Sequence, residues 1–174
     1  MSQPQPPEPA KLVIGLFMKE QHYFLPAVKD ITAEFGPIDT VSNWFPFDYT
    51  DYYGPELGGP LLRRMIAFQD LIRQADLAGI KMFTNAVERQ YSHDGKRRVN
   101  IDPGYMLRER FVLATGKNFS HRIYIGKGIY ADLTLIYRKG AFKSLEWTYP
   151  DYADNRLHQY LIRVRKKYVR DLTC

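Results

Sequence analysis

The sequence has little cysteine and no long apolar run. Cys174, the last residue, is the only cysteine among 174 residues, so a disulfide within the chain and a cysteine-based zinc site are both excluded. The longest apolar run, from Leu12 to Met18, is far shorter than the roughly 20 residues that a helix needs to cross a bilayer. The first residues also lack the basic and apolar regions of a signal peptide. We therefore expect a soluble, cytoplasmic protein that makes no membrane contact.

The motifs of several common enzyme classes are also missing. Gly116-Lys117 is followed by Asn118, and no glycine stands five positions before Gly116, so there is no Walker-type phosphate loop. The patterns G-x-G-x-x-G, H-E-x-x-H and G-x-S-x-G are absent as well. The four histidines, at positions 22, 93, 121 and 158, do not have the spacing of metal ligands. The sequence thus predicts no metal site, identifies no cofactor, and leaves open whether the protein is an enzyme.

The net charge of +6 is concentrated near the end of the chain. Residues 156–170 contain no acidic residue, and their basic residues equal the whole excess of 25 basic over 19 acidic groups. These are Arg156, Arg163, Arg165, Lys166, Lys167 and Arg170. Apolar residues at helical spacing, among them Leu157, Leu161 and Val164, predict a basic C-terminal helix. Its charged face is either ordinary solvated surface or a binding surface for RNA or an acidic protein.

The length and composition indicate one folded domain after a short tail. A chain of 174 residues is in the usual size range of a single domain. Residues 1–10 are rich in proline and predict a disordered tail, which leaves residues 11–174 as a single α+β domain. Apolar periods and turn residues predict its elements. They are a buried strand at Lys11 to Met18, a helix carrying Leu25, Val28, Ile31 and Phe35, strands at Thr40 to Phe47 and Arg63 to Ile72, a helix from Asp76 to Tyr91, and a strand beginning at Arg98 to Ile101.

This order of strand, helix, strand, strand, helix, strand predicts an antiparallel or mixed sheet of ferredoxin-like order. Residues 122–125 and 129–137 extend it as a hairpin, because Gly126-Lys127-Gly128 is a typical hairpin connection. The register pairs Arg122 with Asp132. It places Ile123, Ile125, Ala131, Leu133 and Leu135 on the core face, and Arg122, Tyr124, Tyr130, Asp132 and Thr134 on the other. A doubly wound parallel sheet is the alternative, which the hairpins disfavour.

The stretch from Asn100 to Asp132 concentrates polar side chains that can bind an anion and move a proton. Arginine and lysine bind phosphate or carboxylate groups, and histidine titrates near neutral pH. The candidate catalytic residues are Asp102, His121 and Asp132. The candidate ligand-binding residues are Asn100, Lys117, Arg122 and Tyr130, with Tyr53 and Glu56 from an earlier loop.

A structural interpretation of the same stretch competes with the functional one. Asp102-Pro103-Gly104 is typical of a turn, and a cross-strand pair of Arg122 with Asp132 is structural more often than catalytic. If His121 already belongs to the strand, it points to the opposite face from Arg122. The two residues then share a site only if the chain at His121 is a loop.

A second candidate is the aromatic loop from Trp44 to Glu56. Most of it falls within Asp48 to Pro60, a segment predicted as a long surface loop. It holds six aromatic residues together with Asp48, Asp51 and Glu56. Such a set suits stacking of a base or sugar, or a divalent cation held by oxygen ligands, although Trp44, Phe45 and Phe47 also suit a strand and its core. On the second helix, Lys81, Asn85 and Glu88 form a polar stripe that we interpret as a solvated face.

Six phrases of the sequence are long enough to be specific. They are Phe47 to Gly58 (FDYTDYYGPELG), Arg98 to Tyr105 (RVNIDPGY), Leu113 to Lys117 (LATGK), His121 to Tyr124 (HRIY), Gly128 to Leu135 (GIYADLTL) and Trp147 to Tyr152 (WTYPDY). Together they resemble an uncharacterised bacterial family, carried as a domain of unknown function, over nearly the whole chain after the tail. Some members of that family carry the label GTP-binding protein. The phrases include all the candidate residues and Asp151, and the resemblance implies a glutamate where this chain has Asp132.

The leading functional hypothesis is a site for a nucleotide-like or phosphorylated small-molecule anion on the open face of the sheet. Lys117, His121 and Arg122 would contact the anion, and Asp102 or Asp132 would act as acid, base or orienting group. One alternative is an RNA- or acidic-protein-binding module that uses the basic C-terminal helix. Another is a structural subunit without a ligand, and the sequence does not predict the oligomeric state.

Overall fold

A computed structural model describes residues 1–49 and 53–173, so the candidate Asp51 and the lone Cys174 lie outside the described residues. The strands are β1 (Ala10–Met18), β2 (Ile38–Val41), β3 (Phe45–Phe47), β4 (Leu61–Ile72), β5 (Ser92–His93), β6 (Lys96–Arg97), β7 (Val99–Met106), β8 (Arg110–Thr115), β9 (Arg122–Gly126), β10 (Ile129–Arg138) and β11 (Ala141–Ser144). The helices are α1 (Phe24–Phe35), α2 (Gly54–Leu57), α3 (Leu77–Gln90) and α4 (Asn155–Asp171). None of the described helices is long and apolar enough to span a membrane.

The strands form one large antiparallel sheet, which with the helices makes a single α+β domain. Its order is β11-β10-β8-β7-β1-β4-β2, with β3 also paired to β4 and β9 to β10, while β5 and β6 form a separate small hairpin. β1 lies inside the sheet between β7 and β4, and all nine of its residues are buried. A strand with helices on both faces must be apolar on both, which explains the continuous apolar run.

Helices cover both faces of the sheet. The even-numbered residues Leu12, Ile14 and Leu16 of β1 belong to the core that includes α1 and α3. Val13, on the opposite face because side chains alternate along a strand, packs in the core formed with α4. The apolar stripe predicted for α4 is buried as expected: Leu157, Tyr160, Leu161, Val164 and Tyr168. Each such side chain contributes about 1.5–3 kcal/mol through burial, which holds α4 on this face.

Several predicted element boundaries differ from the observed ones. The strand expected at residues 40–47 is two strands, β2 and β3, because the chain breaks at Ser42, whose backbone N–H and hydroxyl both bond to Met65. The expected loop at residues 48–60 contains the short helix α2. β8 was not predicted, since its short continuous apolar run shows neither a helical nor an alternating period.

The turn expected at Asp102-Pro103-Gly104 is wrong, because these residues lie in the middle of β7. A Cβ on Gly104 would lie 2.5 Å from the carbonyl oxygen of Val112. Glycine is therefore needed here for the close approach of β8, not for a turn.

The predicted hairpin register is confirmed at three of its four pairs. Arg122 pairs with Asp132, Tyr124 with Tyr130, and Ile123 with Ala131, whereas Ile129 lies opposite Gly126 rather than Ile125. On the predicted core face, Ile125, Ala131 and Leu133 pack against a core cluster as expected. Ile123 is the exception on this face, with 71% exposure, and Asp132 on the other face is only 1% exposed. An irregularity between Leu133 and Leu135 changes the alternation, so that Leu135 is buried under α4.

Candidate functional site

The sheet opens between β7 and β8. The two strands pair only where residues 104–106 meet residues 111–113, and the first half of β7 is separated from β8. Two side chains of α3 take over the backbone bonds there: Ile101 N–H donates to Glu88 Oε1 (2.6 Å), and Ile101 C=O accepts from Lys81 Nζ (2.7 Å). Pro103, two residues further on, has no N–H to donate on the same side of the strand, which removes a ladder bond with β8. Pro103 therefore favours the separation of β7 from β8.

A cleft with a cavity volume of about 830 Å³ lies at this split, a size typical of small-molecule sites. Strand register shows what forms its floor. Phe17 lies between Arg63 of β4 and Asn100 of β7, and Gly15 lies between Met65 and Asp102 in the next row. Residues in such rows point to one face of the sheet. Leu113 and Asp132, which face each other on β8 and β10, continue the floor beyond the split.

One wall of the cleft is aromatic. The rings of Phe17 and Phe47 stack at 4.3 Å, and Tyr53 meets Phe17 edge-on at 4.7 Å. Tyr49 lines the same side, and Tyr149 lines the cleft from the segment before α4. Tyr149 is 39% exposed, so its ring is accessible from the cleft mouth.

A second part of the cleft lining is polar and comes from α3 and β6. Arg97 donates to both carboxylate oxygens of Glu56 (2.6 and 2.8 Å), to Glu88 (3.0 Å) and to Asn100 Oδ1 (2.8 Å). The hydrogen bonds from Arg97 lower the pKa of Glu56, whereas burial raises the pKa of Glu88. The predicted solvated face is wrong for Lys81 and Glu88, which are buried because they fill the split in the sheet.

Asp132 is the centre of a fully engaged cluster. Its Oδ2 accepts from Arg122 Nε (2.9 Å) and lies 3.2 Å from His121 Nε2, while Thr134 Oγ1 bonds to Oδ1. The His121 ring stacks on Trp147 at 5.0 Å, and Arg122 also bonds to the Tyr149 hydroxyl. His121 precedes β9, so it is not bound by strand alternation and reaches the same carboxylate as Arg122.

The structure brings together five of the nine predicted site residues. Tyr53, Asn100, Asp102, Lys117 and Asp132 line the cleft. The other four are not among the described residues that line it: Glu56 is bound by Arg97, His121 and Arg122 lie behind Asp132, and Tyr130 packs against Tyr124 at 5.4 Å. The catalytic and binding roles of all nine remain predictions.

Two polar residues that sequence reasoning missed, Arg63 and Tyr152, lie at one end of the floor beside Asp151, which was noted only within a phrase of the family resemblance. Arg63 is 2% exposed and bonds through Nη1 to Asp151, and its guanidinium lies 4.3 Å from the centre of the Tyr152 ring. Tyr152, also 2% exposed, lines the cleft together with Asp151. Arg63 is the first residue of the strand predicted at Arg63 to Ile72. An arginine there was the signal that could have identified this group, because buried arginines are rare without a specific role.

Among residues 1–49 and 53–173, no group of three or more His, Cys, Asp or Glu side chains is placed to hold a metal ion. The cleft is lined by aromatic rings, charged side chains and hydrogen-bond donors.

Comparison with known proteins gives a family but no activity. No curated protein and no solved structure matches the chain significantly. The model of one family, described as a domain of unknown function (DUF4416), matches residues 8–168, which is nearly the whole chain. The protein therefore belongs to the DUF4416 family.

Proposed function

We propose that the protein binds a nucleotide-like or phosphorylated small molecule in the cleft between β7 and β8. The observation that carries this proposal is the cleft itself, which has a volume of about 830 Å³ and is lined by both aromatic rings and charged side chains. An aromatic wall suits a flat ring, and a polar wall suits the hydroxyl and phosphate groups of such a ligand. The proposal keeps the ligand class expected from the sequence and moves its place from the open sheet to the split.

Within this cleft, Asp102 is the best candidate for an acid, base or orienting group. Its carboxylate is 28% exposed and lies 3.8 Å from Lys81 Nζ. Asp132 is a weaker candidate, since Arg122 and His121 already engage its carboxylate. A carboxylate at the floor of an aromatic cleft can accept a hydrogen bond or a proton from a bound ligand.

Isothermal titration calorimetry with a panel of ribonucleotides and phosphorylated metabolites tests the proposal. We expect at least one compound to bind. We expect Asp102→Asn and Lys117→Ala each to weaken that compound by about tenfold, the value of one lost charge-assisted hydrogen bond. Lys143→Ala on the exposed edge strand β11 is the control and should leave affinity unchanged. Absence of binding by every compound would favour a structural subunit without a ligand.

The basic surface of α4 supports RNA or acidic-protein binding less well. Arg156 pairs with Asp154, Arg165 donates to the Arg108 carbonyl and covers the Tyr137 ring, and Lys167 pairs with Asp39 and Asp171. These contacts use three of the six basic side chains within the protein. Arg163, Lys166 and Arg170 are left as the exposed positive charges of the helix.

We also infer a ferredoxin-like core for the sheet. Strands β7-β1-β4-β2 correspond to the order fourth, first, third, second, and α1 and α3 form the two helical crossovers on one face. This order supports the relation predicted from the element sequence. The strands from β8 onward and α4 would then be additions that form one side of the cleft.

A further inference from the structure

Unpartnered hydrogen-bond donors are concentrated beside the cleft. Among the described residues, five buried side-chain nitrogen or oxygen atoms have no hydrogen-bond partner. Four of these atoms belong to cleft residues or to Arg63 directly behind them: Arg63 Nε and Nη2, Asn100 Nδ2 and the Tyr152 hydroxyl. A buried donor without an acceptor costs about 1–3 kcal/mol, so such atoms usually mark a missing water, ion or ligand. All four atoms can donate a hydrogen bond, so the missing partner must be a hydrogen-bond acceptor.

Arg63 and Tyr152 converge on one point above Gly15. A Cβ on Gly15 would lie 2.9 Å from Arg63 Nη2 and 3.3 Å from the Tyr152 hydroxyl. Met65 Sδ would lie 3.0 Å from the same Cβ, so only a glycine at residue 15 lets these side chains approach the strand so closely. Asn100 Nδ2 lies further away, on the other side of Phe17. The convergence therefore involves two donors and the glycine beneath them.

Both donors are held in place and keep their protons. Arg63 Nη1 is fixed by Asp151, and the guanidinium is stacked on the Tyr152 ring. Burial raises the pKa of Tyr152, and the nearby Arg63 offsets this only in part, so the hydroxyl stays protonated at neutral pH. A pair of fixed donors loses little conformational entropy when an acceptor binds.

We propose that Arg63 Nη2 and the Tyr152 hydroxyl bind an oxyanion oxygen of the ligand, from a phosphate or a carboxylate group, above Gly15. The inference rests on the proposed function. It replaces His121 and Arg122, which Asp132 already engages, by Arg63 and Tyr152, and it keeps Lys117 as a further contact. The cleft lining has equal numbers of basic and acidic side chains, and Arg63 and Arg122 lie behind it. Asp102, opposite Gly15, would repel an anion, and Lys81 at 3.8 Å offsets that charge.

The test uses inorganic phosphate, with acetate as the carboxylate probe and sodium chloride of equal ionic strength as the reference. Thermal unfolding is followed for the natural protein and for Tyr152→Phe, which removes only the unpartnered hydroxyl. Tyr160→Phe is the matched control, because that buried hydroxyl already donates to the Thr40 carbonyl (3.1 Å). Gly15→Ala is a second variant, whose methyl group would occupy the point between the two donors.

We expect phosphate or acetate to stabilise the natural protein, with an apparent affinity about tenfold weaker in Tyr152→Phe and no stabilisation in Gly15→Ala. Tyr160→Phe should be less stable without phosphate and respond to it as the natural protein does. The relative response to phosphate and acetate identifies which oxyanion is preferred. The inference is overturned if neither anion stabilises the natural protein more than sodium chloride, or if Tyr152→Phe responds as strongly as Tyr160→Phe.

Failure of this inference is distinguishable from failure of the proposed function. If a nucleotide from the calorimetric panel binds, loses affinity in Asp102→Asn, and binds equally well to Tyr152→Phe, the cleft is a ligand site whose anion contacts lie elsewhere. If no phosphorylated compound binds while inorganic phosphate still requires Tyr152, the oxyanion subsite stands and the nucleotide-like ligand does not.

Discussion

The two polar clusters on either side of the cleft floor differ in how completely their hydrogen bonds are satisfied. Around Asp132, the carboxylate has bonds from Arg122 and Thr134 and a contact with His121, and Arg122 has further bonds to Lys117 and Tyr149. Around Arg63, one nitrogen bonds to Asp151, while two nitrogens and the Tyr152 hydroxyl have no partner. The first cluster is complete without a ligand, and the second is not.

This difference shows why residue type alone locates a site poorly. His121, Arg122 and Asp132 are the residues that chemistry would choose for anion binding and proton transfer, and they are mutually satisfied. Arg63 and Tyr152 look like parts of an ordinary core in the sequence. Buried polar groups are normally paired, so a missing partner carries more information than the presence of a charged residue.

We expect the largest loss of unfolding free energy from Asp132→Asn, which disrupts the cluster whose hydrogen bonds are complete. The change removes the negative charge that Arg122 and His121 share, and leaves Arg122, whose side chain is 8% exposed, without its counter-charge. Breaking a buried ion pair by removing one partner costs about 3–5 kcal/mol of unfolding free energy. Urea unfolding should show a loss of this size.

Asp94→Asn is the matched control, because Asp94 pairs with His93 at 2.9 Å but both side chains are more than 70% exposed. An exposed pair contributes about 0–1 kcal/mol, and asparagine tolerates the positive φ of 52° at this position. If Asp132→Asn cost no more than Asp94→Asn, the cluster around Asp132 would not be the structural network described above.

The sequence predicted the main elements and most of the hairpin. The periods of β1, α1, α3 and α4 were sufficient to predict these elements, because each has an apolar stripe or run that must be buried. Three of the four predicted hairpin pairs are observed, and the fourth is not because Ile129 lies opposite Gly126. The alternating pattern predicted one covered face for the hairpin, but it could not predict that Asp132 on the other face is buried as well.

The cleft could be predicted only in part. Asn100, Asp102 and Lys117 were identified as polar residues close in sequence. These residues line a cleft because β7 and β8 separate. The separation depends on Lys81 and Glu88 of α3, which bond to Ile101 in place of β8, and the cleft floor depends on the packing of Tyr152 over Gly15. Neither contact has a local sequence signal, since both join elements that pair only in the folded chain.

We expect an intermediate loss of unfolding free energy from Lys81→Met. This change tests whether the bond from α3 to the open edge of β7 stabilises the fold. The change removes the donor to the Ile101 carbonyl at 2.7 Å and keeps most of the side chain's apolar volume. A buried carbonyl without a donor costs about 1–3 kcal/mol, which urea unfolding can measure. Lys29→Met on the exposed side of α1 should change stability by less than about 0.5 kcal/mol. Equal effects of the two substitutions would show that Lys81 does not support the open edge of β7.

We expect the smallest effect in the pH dependence of stability that arises from Glu56 and Glu88, the two carboxylates that bond to Arg97. The pKa of Glu56 is lowered in the folded state from the ordinary value of 4.5 by its bonds to Arg97. Its contribution to stability is therefore present above pH 4.5 and is lost as the pH falls through the folded-state pKa. The pKa of Glu88 is raised by burial, so its charge costs stability as the pH rises above 4.5.

Glu56→Gln should accordingly lower the unfolding free energy at neutral pH by less than about 1 kcal/mol, because the pair is partly exposed. The difference from the natural protein should shrink as the pH falls from 4.5 through the lowered folded-state pKa of Glu56, below which neither protein carries the charge. Urea unfolding at a series of pH values measures this. A difference that stays constant down to acidic pH would mean that the Glu56 charge does not stabilise the fold, and that Glu88 and Asn100 are the partners that hold Arg97.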